Sequence, residues 1–305
     1  MLVCRRARIE RRVLAQFIIN GMVTGCLYAA LALGFALVYN TTRVFHVAYG
    51  ALYTLGAYLA YLFLVRLHLP PVVALGLTFV LTASAGVFLE RLIYVPLLKQ
   101  KSSALILLLT SLGVYIASVP VAAMAFGPDP VQFRNDVEAS FRLGGIVLTR
   151  IQMIQAGSSL CALFLLFAVL RLTQLGRTIR ALRDDPTLVS LLGNDTPRLR
   201  SIIFALSSVM AGLIAILSAL DIGIEPNAGL PALLTALVAM IIGGAGSFEG
   251  ALAGGFSLSL LQSLIVWQSS PLWSDAVTFS VLILFLLFRP QGVLGTRKRL
   301  EEEGA

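Results

Sequence analysis

The stretch LILLLTSLGVYIASV, residues 105–119, contains no charged side chain. It also lacks the alternation of polar and apolar residues that strands of a membrane β-barrel show. The stretch lies inside a longer charge-free interval, 102–128. Because about 20 apolar residues in a helix span a bilayer core of about 30 Å, this interval predicts a helix that crosses a membrane.

Comparable intervals without charge recur along the whole chain. They cover 13–42, 44–65, 67–89, 151–170, 201–220, 226–248 and 250–274, and 276–288 becomes long enough to span if it begins near Pro271. The chain is 58% hydrophobic and only 12% charged, whereas soluble domains carry about 25% charged residues. Since backbone in lipid must satisfy its own hydrogen bonds, we predict an all-α, polytopic membrane protein. Its 305 residues should form a single domain with roughly 8–10 transmembrane or half-membrane helices.

The basic residues predict the orientation, because cytoplasmic loops carry an excess of Lys and Arg. Both termini and the central charged segment are therefore expected in the cytoplasm, and three loops poor in basic residues or mixed in charge are expected outside. The cytoplasmic regions are the basic N-terminus 1–12, the segment 171–200 and the tail 289–305, and the external loops are 126–150, 221–228 and 267–275.

This orientation conflicts with simple spans in the first third of the chain, which would place the N-terminal arginines outside. One segment there should be broken or re-entrant. The candidates are the run 13–42, interrupted by three glycines, and the stretch TTRVFHVAYG, residues 41–50. Irregular backbone at membrane depth occurs only beside protein or a water-filled cavity, so the break should mark a pathway. We favour the second candidate.

The segment GRTIRALRDDPTLVSLLGND, residues 176–195, is amphipathic in an otherwise apolar chain. Asp184, Asp185 and Pro186 predict a helix start, and Gly193 predicts its end. A helix of fewer than about ten residues is not stable alone, so its apolar residues should pack on a partner. The alternative is a solvated loop.

A glycine-rich stretch, IIGGAGSFEGALAGGFSLSLLQS, covers residues 241–263. Gly246, Gly250 and Gly254 are spaced four apart, which favours close packing of one helix face. Gly243, Gly244 and Gly246 equally favour a tight turn between two apolar helices. Glu249 is either a pathway residue, as intramembrane acids often are, or a surface residue of that turn.

Four stretches in this order, 20–61, 176–217, 233–264 and 281–295, resemble the branched-chain amino acid ABC transporter permeases. The resemblance covers nearly the whole chain and is weakest at 126–150. It implies a non-catalytic permease subunit in the bacterial inner membrane. The partners it implies are cytoplasmic ATPase subunits, a second permease subunit (identical or related) and a periplasmic solute-binding protein.

The resemblance also implies that residues 184–193 dock on the ATPase. The chain has no G-x-x-x-x-G-K-[ST] motif, so another chain must bind the nucleotide phosphates. Leucines would be buried in the ATPase, arginines would pair at its rim or contact anionic lipid, and the glycine would end the helix. The predicted coupling residues are Arg177, Arg180, Arg183, Asp184, Asp185, Leu188, Leu191, Leu192 and Gly193.

The predicted pathway residues are small or weakly polar, with one acid. They are Asn20, Thr24, His46, Tyr49, Gly50, Ser111, Gly243, Gly244, Gly246 and Glu249. Asn20 and His46 can alternatively form hydrogen bonds between helices. Where the family usually has an Asn-Phe-Ala-His-Gly-Glu-like stretch, this chain reads HVAYGA at 46–51. The resemblance implies branched-chain amino acids as the solutes, and the altered stretch leaves other amino acids, urea or short amides as alternatives.

Functions of other classes fit the sequence less well. A secondary transporter would use intramembrane acids or bases for ion coupling, and the charge-free intervals contain almost none. An enzyme would need a clustered catalytic set, but the chain has two histidines and three scattered cysteines. We predict no catalytic residue, cofactor or metal site. The net charge of +8 reports membrane topology rather than a nucleic-acid partner.

Overall fold

The computed structural model describes residues 2–133, 140–143, 146–244, 246–289 and 291–294, and its elements are almost all helical. The first half of the chain forms α1 (Leu2–Thr42), α2 (Tyr49–Tyr61), α3 (Pro71–Leu89), α4 (Val95–Lys99) and α5 (Ala104–Phe126). One π-helical turn, Leu62–Arg66, extends α2, and another, Glu90–Tyr94, joins α3 to α4.

The second half begins with a hairpin. Its strands are β1 (Ser140–Leu143) and β2 (Ile146–Thr149), which pair antiparallel. The helices that follow are α6 (Arg150–Leu172), α7 (Gln174–Asp184), α8 (Pro186–Leu191), α9 (Thr196–Ile222), α10 (Gly229–Gly243), α11 (Phe248–Gln268) and α12 (Ser274–Phe288), the last preceded by a 3₁₀ turn at Pro271–Trp273. No pattern in the sequence predicted this hairpin.

Within the described residues, 7 helical segments are long and apolar enough to cross a membrane. They are Val13–Thr42, Pro71–Lys99, Ala104–Phe126, Arg150–Leu172, Thr196–Ile222, Phe248–Gln268 and Pro271–Phe288. The shorter apolar helix α10 and the extended α2 complete the bundle. The prediction of an all-α, polytopic membrane protein is confirmed.

Contacts between distant residues define two ends of this bundle. Gln16 of α1 donates a hydrogen bond to the carbonyl of Val147 in β2, so α1 begins at the hairpin end. Near the other terminus of α1, Asn40 accepts from the backbone of Gly246, and Arg183 of α7 donates to the Gly246 carbonyl. We call this second end the α7–α8 end.

The two chain termini lie at opposite ends of the bundle, which corrects the expectation that both are cytoplasmic. The C-terminal residues Val293 and Leu294 bond to the last turn of α10, at the α7–α8 end. Helix α1, in contrast, begins at the hairpin end and does not break. Five crossings separate the start of α1 from α7. They are made by α1, by α2, by α3 together with α4, by α5 and by α6. The side chains of 1–12 and the tail residues 295–305 lie outside the described part of the chain.

The chain breaks at residues 43–48, the candidate favoured from the sequence, and α1 continues through its glycines. Arg43 adopts a left-handed backbone conformation with φ of 56°. Helix α2 does not turn back to the α7–α8 end, where α1 ends. It runs to the hairpin end, where Arg66 lies over the ring of Phe126, so the segment is broken but not re-entrant.

Burial shows which helices form the centre of the bundle. In the most apolar window of α1, 83% of the residues are buried, and in that of α9 67% are buried. The corresponding value is 17% for α5 and 6% for the C-terminal helix. Helices α1, α2, α9 and α10 therefore form the core, and α3, α5 and α12 present apolar faces outward.

Candidate functional site

Two helices begin in contact with each other in the interior of the bundle. Helix α2 begins beside Gly50, α10 begins at Gly229, and the two glycine backbones touch. A Cβ atom on Gly50 would lie 2.7 Å from the carbonyl oxygen of Gly229. From this contact α2 runs toward the hairpin end and α10 toward the α7–α8 end. Half-helix starts near the bilayer midplane form the solute sites of many transporters.

Helix α5 holds both of these starts through two side chains that are one helical turn apart. Ser111 accepts a hydrogen bond from the backbone of Ala48 at 2.8 Å. Tyr115 accepts from the backbone of Leu230 at 3.1 Å and donates to the carbonyl of Asn227 at 3.3 Å. Backbone groups that would be unsatisfied in lipid are thus satisfied within the protein.

His46 belongs to a buried hydrogen-bond network at the break between α1 and α2. Its Nδ1 lies 2.7 Å from the hydroxyl of Tyr94, which in turn donates to Ser111 at 2.8 Å. His46 is 1% exposed and lines neither of the two large cavities described next. The alternative interpretation, a hydrogen bond between helices, fits its position.

Two cavities of different chemistry flank α2. The first has a volume of about 420 Å³, lies between α2, α3 and α5, and is almost entirely apolar. It starts beside the Gly50–Gly229 contact, and among its lining residues are Ala51, Leu55, Phe88, Ala117 and Val121. We call it the apolar cavity.

The second cavity, of about 580 Å³, lies on the other side of α2 and is polar. Three carboxylates, from Asp221, Glu225 and Asp275, contribute to its lining together with Thr24 and Gln155. Asp221 and Glu225 are exposed, which places its mouth at the hairpin end. We call it the acidic cavity.

The α7–α8 end carries the short helix predicted from the sequence. Asp185 caps α8 by accepting hydrogen bonds from the backbone of Thr187 at 2.8 Å and of Leu188 at 3.1 Å. Gly193 follows the helix with φ of 79°, a left-handed conformation that favours glycine. The predicted start and end of this helix are confirmed.

Three leucines of α8 and the following turn point away from the bundle. Leu188 is 56% exposed, and Leu191 and Leu192 are each 77% exposed. Val189, in contrast, is buried and fixes the helix to the bundle. This apolar surface has no cover within the described part of the chain.

Most of the chain matches one family model. The family is described as the branched-chain amino acid transport system permease component, and the match covers residues 17–286. The chain belongs to this family.

Curated permeases align with most of its length. It is 28% identical to the high-affinity branched-chain amino acid transport system permease protein BraD of Pseudomonas aeruginosa and 29% identical to LivH of Escherichia coli K12. Each alignment covers 92% of this chain and 95% of the relative. A probable LivH of Methanocaldococcus jannaschii is 26% identical over 88% of this chain and 89% of its own.

Near the Gly50–Gly229 contact, this permease brings together some of the predicted pathway residues. His46, Tyr49, Gly50 and Ser111 are all buried there, and Tyr49 donates a hydrogen bond to the carbonyl of Leu31. Thr24 lines the acidic cavity. Asn20 accepts from Gln16 at the hairpin end.

The other predicted pathway residues of the permease lie at the α7–α8 end, away from both cavities. Gly243 ends α10, and Gly244 and Gly246 form a turn with φ of 115° and 104°. Gly246 is therefore not on the packed helix face, although Gly250 and Gly254 of α11 do pack on α10. Glu249 is about half exposed and forms an ion pair with Arg171, which matches its interpretation as a surface residue.

The predicted coupling arginines of the permease differ from one another. Arg183 points inward: it lies over the ring of Phe248, bonds to the Gly246 carbonyl and pairs with Asp184 at 3.0 Å. Arg177 is exposed and Arg180 is partly buried. Arg183 therefore holds α7 on the turn before α11.

Sequence reasoning missed Glu90, Tyr94 and Tyr115 in the permease. Glu90 is completely buried and pairs with Arg200, and both tyrosines bond to helix breaks. A signal was present for Glu90, because it is an acid at the end of a long apolar run. The sequence gives no local signal for the tyrosines, whose partners are distant along the chain.

Proposed function

We propose that this chain is the membrane subunit of a bacterial ABC importer that moves branched-chain amino acids across the inner membrane. A separate ATPase docks on α8 and drives the transport. The observation that carries this proposal is the exposed leucine surface of α8, formed by Leu188, Leu191 and Leu192. An apolar patch on a capped, rigid helix is typical of a protein interface.

The attachment of α7 and α8 supports a role in force transfer. Val189 is buried, Arg183 bonds to the turn before α11, and Asp195 caps α9 immediately after α8. Movement of α8 would therefore be transmitted to α9 and to the turn between α10 and α11. A shift from mostly one access state to mostly the other requires about 5.5 kcal/mol of differential binding, which ATP binding by the partner would supply.

The proposed solute follows from the relatives and from the two cavities. BraD and LivH carry branched-chain amino acid transport in their names. The apolar cavity suits an aliphatic side chain, and the carboxylates of the acidic cavity suit an ammonium group. A solute-binding protein would deliver the amino acid at the hairpin end, where the acidic cavity opens.

A second permease subunit, identical or related, would complete the pathway. The outward faces of α3, α5 and α12 are apolar and exposed, so each is available either to lipid or to that subunit. Motion of the two subunits against each other would then alternate access between the two ends.

Replacement of Leu191 by Asp tests the docking surface. The charge would have to be buried in the ATPase groove, so we expect loss of ATPase co-purification and of ATP-driven leucine uptake into proteoliposomes. Leu272→Asp is the matched control, because Leu272 is 90% exposed at the other end of the bundle, next to α12. Normal assembly and transport by Leu191→Asp would refute the docking assignment.

A further inference from the structure

A buried ion pair joins α9 to the π-helical turn that follows α3. Arg200 Nε donates to Glu90 Oε1 at 3.0 Å, and the two side chains are 19% and 1% exposed. Ser201 Oγ lies 3.4 Å from the second carboxylate oxygen and accepts from Arg91 Nε at 3.2 Å. These contacts fix the start of α9, directly after α8, to Glu90–Tyr94.

The same π-helical turn also reaches the break between α1 and α2. Tyr94, at its end, contacts His46 at 2.7 Å and Ser111 at 2.8 Å through one hydroxyl group. Ser111 in turn binds the backbone of Ala48. Two sets of polar contacts, joined through the backbone of the Glu90–Tyr94 turn, therefore connect the start of α9 to the start of α2, beside the Gly50–Gly229 contact.

We propose that Glu90 and Tyr94 are positioning residues that transmit the movement of α8 to the helix break at 43–48. This inference rests on the proposed function, since it requires an ATPase on α8. In this scheme α8 moves the first turn of α9, the Glu90–Arg200 pair moves the π-helical turn, and Tyr94 moves the break and the start of α2.

Buried polar contacts suit this role better than apolar packing. Apolar surfaces can slide with little change in free energy, but separation of Glu90 from Arg200 would leave a charge buried without its partner, which is strongly unfavourable. The two helices must therefore move together. The backbone is also irregular at two points of this connection. Its middle is a π-helical turn, a feature that is frequent at functional sites, and at the break Arg43 holds a left-handed conformation that is unfavourable for a residue with a side chain.

The phenylalanine variant of Tyr94 tests the proposal with little risk to folding. Tyr94→Phe keeps the ring beside Phe204, whose centroid is 5.4 Å away, and removes only the bridging hydroxyl. In the full importer, reconstituted with leucine-loaded binding protein, we expect unchanged ATPase co-purification and basal ATP hydrolysis. Leucine transported per ATP hydrolysed should fall about tenfold, which corresponds to about 1.4 kcal/mol of coupling.

Ser208→Ala is the matched control. Ser208 is as buried as Tyr94, but its hydroxyl donates only to the Phe204 carbonyl in its own helix. We expect the control to keep the wild-type ratio of leucine to ATP. The proposal is overturned if Tyr94→Phe keeps the wild-type ratio of leucine to ATP. This includes the case in which transport and ATP hydrolysis fall in proportion, because the hydroxyl would then contribute to stability alone.

The ion pair is tested by a charge-neutral double variant. Glu90→Gln alone leaves the partly buried Arg200 without a carboxylate partner and is expected to lower the yield of folded protein. Glu90→Gln with Arg200→Gln removes both charges, so the protein should assemble with the ATPase while the leucine-to-ATP ratio falls. An unchanged ratio in the double variant would overturn the role of the pair. Failure of the wild-type chain to bind an ATPase would instead overturn the proposed function, so the two failures are distinguishable.

Discussion

The bundle contains two breaks in its membrane helices, and they are stabilised in different ways. The break at 43–48 has local backbone hydrogen bonds and is joined to neighbouring helices by side chains, namely His46, Tyr94 and Ser111. The break at 223–228 is held chiefly by backbone: Val131 and Ile224 exchange two hydrogen bonds, each of 2.9 Å. The first break connects to α9 near α8, and the second borders the acidic cavity through Glu225.

This difference assigns a separate task to each break. The side-chain network links the first break to the end on which we propose that the ATPase docks. The second break lies where we propose that the solute arrives. The two meet at Gly50 and Gly229, where a change of geometry in one helix start must affect the other.

The largest expected effect comes from separating the two helix starts. Gly50→Ala would place a Cβ atom 2.7 Å from the Gly229 carbonyl oxygen and 3.2 Å from the ring of Tyr115. Because the atom that the new Cβ meets in Gly229 belongs to the backbone, it cannot move away easily. We therefore expect a loss of about 3 kcal/mol in the free energy of unfolding and a loss of nearly all leucine transport. Reversible unfolding in mixed micelles and uptake into proteoliposomes measure the two effects.

Gly113→Ala provides the comparison for that variant. Gly113 lies within α5, and no atom would come within 4 Å of the added Cβ. Because alanine favours a helix over glycine by up to about 1 kcal/mol, this variant should be slightly more stable and should transport normally. If both variants behave alike, the contact between the two breaks is not required.

Local signals made some of these features predictable from the sequence. Asp185, Pro186 and Gly193 define α8 through their own backbone preferences, and charge-free intervals define the spanning helices by length alone. The break at 43–48 was anticipated because several polar residues interrupt an apolar run.

Features that depend on distant partners were not predictable in this way. Tyr94 and Tyr115 act on backbone that lies far along the chain, and Glu90 pairs with a residue of α9. The orientation of α1 was predicted wrongly because basic residues were counted without knowing that α1 crosses the bundle unbroken. The antiparallel packing of α1 on α11, with Gly21 against Ser263 and Gly255 against Ala29, fixes that direction.

A smaller effect is expected when the second break loses the hydroxyl group of Tyr115. Tyr115→Phe removes the hydroxyl that bonds to the backbone of Leu230 and Asn227. Because these two backbone groups also bond to each other at 3.3 Å, we expect a cost of only about 1 kcal/mol. We expect lower stability and slower transport with an unchanged ratio of leucine to ATP. That result would contrast with Tyr94→Phe, whose ratio falls. A reduced ratio in Tyr115→Phe would show that both breaks transmit the motion and would remove the distinction between them.

The smallest expected effect concerns the mouth of the acidic cavity. Glu225 is exposed there, so its carboxylate would attract the ammonium group of an arriving amino acid through solvent, where screening is strong. Glu225→Gln should raise the leucine concentration for half-maximal uptake by about threefold at low salt, or about 0.7 kcal/mol, and the difference should disappear at high salt. Glu225→Asp keeps the charge and should behave as the wild type. A salt-independent defect in Glu225→Gln would mean that the residue acts through local structure of the second break, and the acidic cavity would then have no electrostatic role in solute entry.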